Sequence, residues 1–174
     1  MTAEFEIPKN GEREYLRAFG VVALFVAAPL TRVPCLTGYT RDLGLSLESV
    51  RTRWHWSIEF SHAWWLADQK TARQILDAVN AVYPLDPRGL FAVEADIIAA
   101  KLEHAATLLG AKLTAHADAL HRVRQALARV DGVIASANAS GELRWFNRTY
   151  RKWRTTSSPE LAAALPYALA RTRL

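Results

Sequence analysis

The spacing of apolar residues changes several times along the chain. Ala18 to Leu30 is an almost unbroken apolar run, interrupted by Gly20 and Pro29. Its centre, Val21 to Ala27, reads as a strand buried on both faces. A Pro-containing connection leads to a second strand over Val33 to Thr37, followed by the polar turn Gly38-Tyr39-Thr40-Arg41-Asp42. A short helix is predicted from about Leu43 to Val50. From Arg53 to Ser61 the period is two, with Trp54, Trp56, Ile58 and Phe60 alternating with Arg53, His55, Ser57, Glu59 and Ser61. That pattern predicts a third strand with one aromatic buried face and one polar face open to a ligand. Ala67 to Val82 returns to helical spacing, with Ala72, Ile75, Leu76 and Val79 on one side.

Pro84-Leu85-Asp86-Pro87-Arg88-Gly89 is dense in breakers and reads as a boundary loop. Residues 1–84 are therefore taken as an α+β domain and residues 85–174 as a helical extension packing on it. Four helices are predicted in the extension. Leu90 to Leu109 ends at Gly110, a C-cap residue. Thr114 caps a second helix, running to about Ala137, with Leu120, Val123, Leu127, Val130 and Ile134 as its stripe. Leu143, Phe146, Tyr150 and Trp153 line a third, and Pro159 after Ser158 opens a fourth. No internal repeat or low-complexity segment interrupts this order. The predicted fold is α+β: a small, mainly antiparallel three-stranded sheet with flanking helices, followed by the helical extension.

Composition agrees with a folded chain. Of 174 residues, 51% are hydrophobic and 22% charged, enough to fill a core and keep the surface wet. Cys35 is the single cysteine and has no partner for an internal disulfide, so a reducing, cytoplasmic setting is expected. The apolar run from Ala18 is shorter than the roughly 20 residues a bilayer requires, so no membrane association is expected. Glu4, Glu6, Glu12 and Glu14 precede it, where an export signal carries positive charge.

Charge narrows the question of partners. The net charge is +5 and the isoelectric point about 9.7. Arg144, Arg148, Arg151, Lys152 and Arg154 lie within eleven residues without an intervening acid, and together they equal the whole net charge. The basic character is therefore concentrated, which suits an anionic partner.

The order strand, tight turn, strand, Gly-Tyr-Thr-Arg-Asp-Leu, helix, strand, helix resembles the GIY-YIG superfamily over about residues 20–83. Cys35-Leu-Thr-Gly38-Tyr-Thr-Arg-Asp-Leu43 looks like that family's second strand and following turn. The stretch from Gly141 to Arg154, with Tyr167, Ala170 and Arg171-Thr-Arg173 beyond it, resembles the helical tail of phage-related proteins of alphaproteobacteria. The first resemblance implies a nuclease fold without its nuclease residues. The family's first tyrosine falls at Phe25, its second at Leu36 (or Cys35), its helix arginine at Ser46, and its metal-binding glutamate near Arg73 or Gln74. Glu48 and Asp77, the nearest acids, are out of register. Cleavage of this type needs a base, a cation on the phosphate and a carboxylate on a metal. The resemblance therefore implies a fold kept and a reaction lost.

Other constellations carry less. His55 and Glu59 share a side of the predicted strand with His62 beyond, a spacing open to metal or acid/base chemistry and equally to a solvated polar face. His104, His116 and His121 fall on helices without ligand spacing. Cys35, between Pro34 and Leu36, reads as an inert core thiol. Arg144, Arg148 and Arg151 recur at i, i+4 and i+7 and form a basic stripe if helical. Trp145 lies outside the apolar stripe and is expected to be free to stack on a base. Arg51 and Arg53, on the polar face of the predicted third strand, extend the expected nucleic-acid surface, and the resemblance implies that Tyr39, Arg41 and Arg53 lie near the face that carries the family's active site. The sequence thus points to non-catalytic nucleic-acid binding, most simply of DNA, with no cofactor and no metal. A protein adaptor working through the helical half and a divergent nuclease using Tyr39, Arg41, His55 and Glu59 are the alternatives.

Overall fold

The computed structural model describes residues 5–54, 57–128, 132–137 and 142–157. Its elements run α1 (Asn10–Phe19), β1 (Val22–Pro29), β2 (Leu36–Thr40), α2 (Leu43–Arg53), β3 (Ile58–Leu66), α3 (Gln69–Asn80), α4 (Ala95–Leu108), β4 (Thr114–Ala115), α5 (His116–Leu127), β5 (Gly132–Ala137), β6 (Glu142–Asn147) and β7 (Lys152–Ser157). The chain is α+β. One antiparallel sheet has the order β2-β1-β3-β4 and a second has the order β5-β6-β7.

β1 is the middle of the structure, and its apolar run follows from that position. Ala23, Phe25 and Ala27 face a core built with Tyr15, Leu16 and Phe19 of α1, Leu43 and Leu47 of α2, and Ala119 and Val123 of α5. Val22, Leu24 and Val26 face the opposite core, with Ile75 and Val79 of α3 and Ile98 and Leu102 of α4. A strand covered by helices on both sides has no polar face to show.

Phe25 lies opposite Gly38 of β2. A Cβ on Gly38 would stand 2.7 Å from the Phe25 ring, which is itself packed against Phe60 at 4.8 Å between centroids. Glycine is thus required by the ring lying across the neighbouring strand. Gly38→Ala is expected to cost about 1–3 kcal/mol through overpacking, read as a lower urea midpoint with unchanged slope. An unchanged midpoint would mean that the ring moves away freely.

Several expected elements are corrected. The second strand is Leu36–Thr40, so Gly38, Tyr39 and Thr40 belong to a strand and not to a turn. The third begins at Ile58, five residues later than predicted. α2 extends through Arg53, and Trp54 is its C-cap, half-buried against the core. His55 and Trp56 lie outside the described residues. Ile58 and Phe60 are buried with Glu59 exposed between them, as the alternation requires. Beyond Phe60 the alternation slips. Val26 pairs with His62 but Ala27 pairs with Phe60, which leaves Ser61 as a bulge residue. Ser61 Oγ donates to the Val26 carbonyl at 3.2 Å. The bulge shifts parity by one, so Ala63 and Trp65 join the face of Ile58 and Phe60.

The second half departs further from the all-helical expectation. α4 and α5 are helices, but Thr114 and Ala115 form the short strand β4 against Trp65 and Trp64, and α5 ends at Leu127. Residues 132–137 and 142–157, expected as helix, form the second sheet. Apolar residues spaced three and four apart between Leu143 and Trp153 straddle a turn, so two strands with a break between them imitate a helical stripe. The predicted helix at Pro159 lies outside the described residues, as does Val130.

α1 was not expected. Its acidic and basic residues hide a buried face of Tyr15, Leu16 and Phe19. Glu12 caps its start by accepting from the Lys9 amide at 2.7 Å, and Gly20 closes it at φ 70°. β5 runs against this helix, and Trp145 of β6 enters the same core. Among the described residues no helix is long and apolar enough to cross a membrane.

Candidate nucleic-acid interface

The five clustered cations are carried by a β-hairpin instead of a helix. β6 and β7 pair antiparallel, with Arg144 opposite Thr155, Trp145 opposite Arg154, Phe146 opposite Trp153 and Asn147 opposite Lys152. Arg148, Thr149, Tyr150 and Arg151 form the turn. Asn147 is buried, and its Oδ1 accepts the Tyr150 amide at 2.7 Å, which fixes the turn from below. Arg151 takes a left-handed conformation at φ 49°, so the chain can re-enter β7. Arg144, Arg148, Arg151, Lys152 and Arg154 are all exposed.

Alternation along the strands sorts the aromatic residues. Trp145 is 6% exposed, packs in the core with α1 and α5, and donates Nε1 to Thr156 Oγ1 at 2.9 Å. It is a structural residue, not a free stacking platform. Trp153 and Tyr150 take the exposed positions instead. The Arg144 guanidinium lies 5.0 Å from the Trp153 ring centroid, and Phe146 meets that ring edge-on at 5.4 Å. Lys152 Nζ and Arg154 Cζ lie 6.0 Å and 5.6 Å from the Tyr150 ring. Cation–aromatic contacts of this kind hold the cations over apolar surface while leaving them wet.

The remaining expected site residues belong to another part of the molecule. Arg51 and Arg53 stand in the last turn of α2, where the helix dipole favours positive charge, not on the polar face of a strand. Arg51 pairs with Glu59, and the Arg53 guanidinium lies 5.5 Å from the Trp54 ring. Arg41 is exposed between β2 and α2. Tyr39 is half-buried against α3 and its hydroxyl accepts from Gln69 Nε2 at 3.1 Å. Phe25 and Leu36 are core residues, Ser46 lies within α2, and exposed Arg73 pairs with Asp77 at 3.8 Å.

Packing of α5 on β3 brings together residues whose sequence separation gave no hint of it. A cleft of about 450 Å³ is lined by Phe5, Glu6, Ser61, His62, His116, His121 and Arg124, among others. Its polar groups are already engaged. His116 accepts from buried Trp65 Nε1 at 3.0 Å through Nδ1, which makes Nε2–H the donor to the Glu6 carbonyl at 2.7 Å. Arg124 binds Glu6 and also Glu12, the latter at 2.6 Å. His62 Nε2 lies 3.5 Å from Asp96, and burial holds its pKa below the ordinary value. No group of three or more His, Cys, Asp or Glu that could hold a metal occurs among the described residues. Cys35 is buried, donates to the Val93 carbonyl at 3.3 Å, and has its thiol pKa pushed up to about 11 by burial. Compared with family models, curated protein sequences and solved structures, the chain has no significant match in any of the three.

Proposed function

We propose that this protein binds nucleic acid without cutting it, through the β6–β7 hairpin, on a GIY-YIG-like fold that lacks the nuclease side chains. The observation that carries the proposal is the hairpin itself. Five exposed cations equal in number to the net charge of the chain stand on one fixed β-ribbon, interleaved with exposed aromatic rings. Guanidinium and ammonium groups neutralise phosphates and release their counterions, the dominant source of sequence-independent affinity. The order β1, β2, α2, β3, α3 supports the fold reading, since it is the order that the resemblance implies. A phage or mobile-element setting belongs to this reading on the likeness of the tail's residues to phage-related proteins alone, since residues 142–147 and 152–157 are strands and not the helix of that tail. The lone buried thiol suits a reducing cytoplasm.

Absence of cleavage is part of the proposal. Tyr39 is bonded to Gln69 and Glu59 is held by Arg51, so two of the groups that a relocated nuclease site requires are otherwise engaged. Purified protein is expected to leave plasmid DNA intact in magnesium or manganese. Nicking above background that disappears in Glu59→Gln would establish a relocated active site. A protein that binds no nucleic acid at all would leave the basic hairpin for an acidic protein partner.

A further inference from the structure

Resting on the nucleic-acid reading above, we infer that the ligand of the hairpin is single-stranded, and that unpaired bases stack on Trp153 and Tyr150. These are the most exposed aromatic side chains among the described residues, at 53% and 65%. Large exposed rings are ordinarily scattered over a surface. Here both belong to the one hairpin that carries the concentrated charge, and each has a cation against its ring.

The geometry favours a single strand over a duplex. In β7 successive side chains point to opposite faces, so Trp153 and its neighbours Lys152 and Arg154 serve different sides of the ribbon. Trp153 forms one unit with Arg144 and Phe146, and Tyr150 forms the other with Lys152 and Arg154. β7 is one of the two edge strands of its sheet among the described residues. A ligand touching both units must pass over that edge and bend around it. A single strand bends in this way and offers an unpaired ring face every nucleotide, with a phosphate between rings for each cation. A duplex keeps its base faces in the stack, and exposing one costs several hydrogen bonds and contacts. The turn is fixed before the ligand arrives by the Asn147 bond to the Tyr150 amide, so little ordering remains for binding to impose.

The test is fluorescence anisotropy with a labelled oligothymidine of about 20 nucleotides, an oligouridine of equal length and a mixed-sequence duplex of equal length, each at several salt concentrations. The full chain is expected to bind one or both single strands about tenfold more tightly than the duplex, and the two single-stranded probes separate DNA from RNA as the source. Trp153→Ala is expected to weaken single-strand binding about tenfold and duplex binding little, while Trp153→Phe retains most of the affinity. Because Trp153 is half exposed, loss of folding does not confound the comparison, and circular dichroism of each variant checks it. Equal affinity for duplex and single strands, or a Trp153→Ala variant that binds single strands like the parent, would overturn the stacking inference and leave phosphate binding standing. Binding to no probe would overturn both.

Discussion

Replacing Trp65 with alanine is expected to lower the unfolding free energy by about 3–5 kcal/mol, a large share of the roughly 5–15 kcal/mol of a typical domain. Trp65 is 1% exposed on β3 and fills the core between α1 and α5. Its indole also begins a chain of contacts that fastens the N-terminal segment. Trp65 Nε1 donates to His116 Nδ1, His116 Nε2 donates to the Glu6 carbonyl, and Phe5 stacks on the His116 ring at 4.5 Å between centroids. Trp65→Ala therefore opens a cavity and removes the donor that sets the His116 tautomer. Trp65→Phe keeps most of the volume and loses only the hydrogen bond, for about 1–2 kcal/mol. Urea unfolding of the three proteins separates packing from hydrogen bonding. Equal midpoints for Trp65→Ala and the parent would contradict the core described above.

The same chain of contacts gives stability a pH dependence of defined sign. Burial lowers the pKa of His116 below its ordinary 6.5, although Glu6 and Glu12 oppose the shift. The folded state therefore binds fewer protons than the unfolded state just below that value. Stability from His116 is complete above about pH 6.5 and is lost as pH falls through the lower, folded pKa. His62, lowered chiefly by burial, acts in the same direction. In Trp65→Ala the Nδ1 position is released to take a proton, so the slope of stability against pH below about 6.5 should become shallower.

How much of this was legible in the sequence depended on whether local pattern and tertiary packing agreed. β1 was legible because a strand covered on both faces has no alternation to misread. α3 was legible because Ala72, Ile75 and Val79 keep helical spacing. β3 was only half legible. Its period-two alternation holds at Ile58 to Phe60, but the bulge at Ser61 resets the parity, and no residue type announces a bulge. The second sheet was misread because Phe146, Tyr150 and Trp153 are three and four apart, a spacing that a turn between two strands produces as readily as a helix does.

The basic hairpin was legible in its charges and not in which of its aromatic residues are exposed. Five cations without an acid identify a basic surface whatever the backbone does. Which ring faces water depends on strand register and on what lies beneath the sheet. Trp145 follows Arg144 and precedes Phe146, and Trp153 stands between Lys152 and Arg154, so each adjoins a cation and neither context announces burial. Opposing β7 residues and the contact with the core that includes α1 decide that Trp145 is buried and Trp153 is not. The cleft lined by His62, His116 and His121 left no local signal, because it arises from the packing of α5 on β3.

The basic hairpin carries the functional account, and its arginines are expected to dominate binding. Arg144, Arg148 and Arg151 are exposed on one strand and the turn that follows it. Each phosphate neutralised contributes about 0.9 to the slope of log affinity against log salt on duplex and about 0.7 on single strands. Changing all three to alanine should therefore flatten the slope by about three units on duplex and about two on single strands, for all sequences alike. Exposed substitutions of this kind usually alter stability by no more than about 0.5 kcal/mol each, so thermal unfolding should move little. The direct measurement is a salt titration of binding for the parent and the Arg144→Ala, Arg148→Ala, Arg151→Ala variant on one labelled oligonucleotide. A steep parental slope that flattens in the variant is the predicted result. Equal slopes and equal affinities for the two proteins would show that the hairpin does not meet the nucleic-acid backbone.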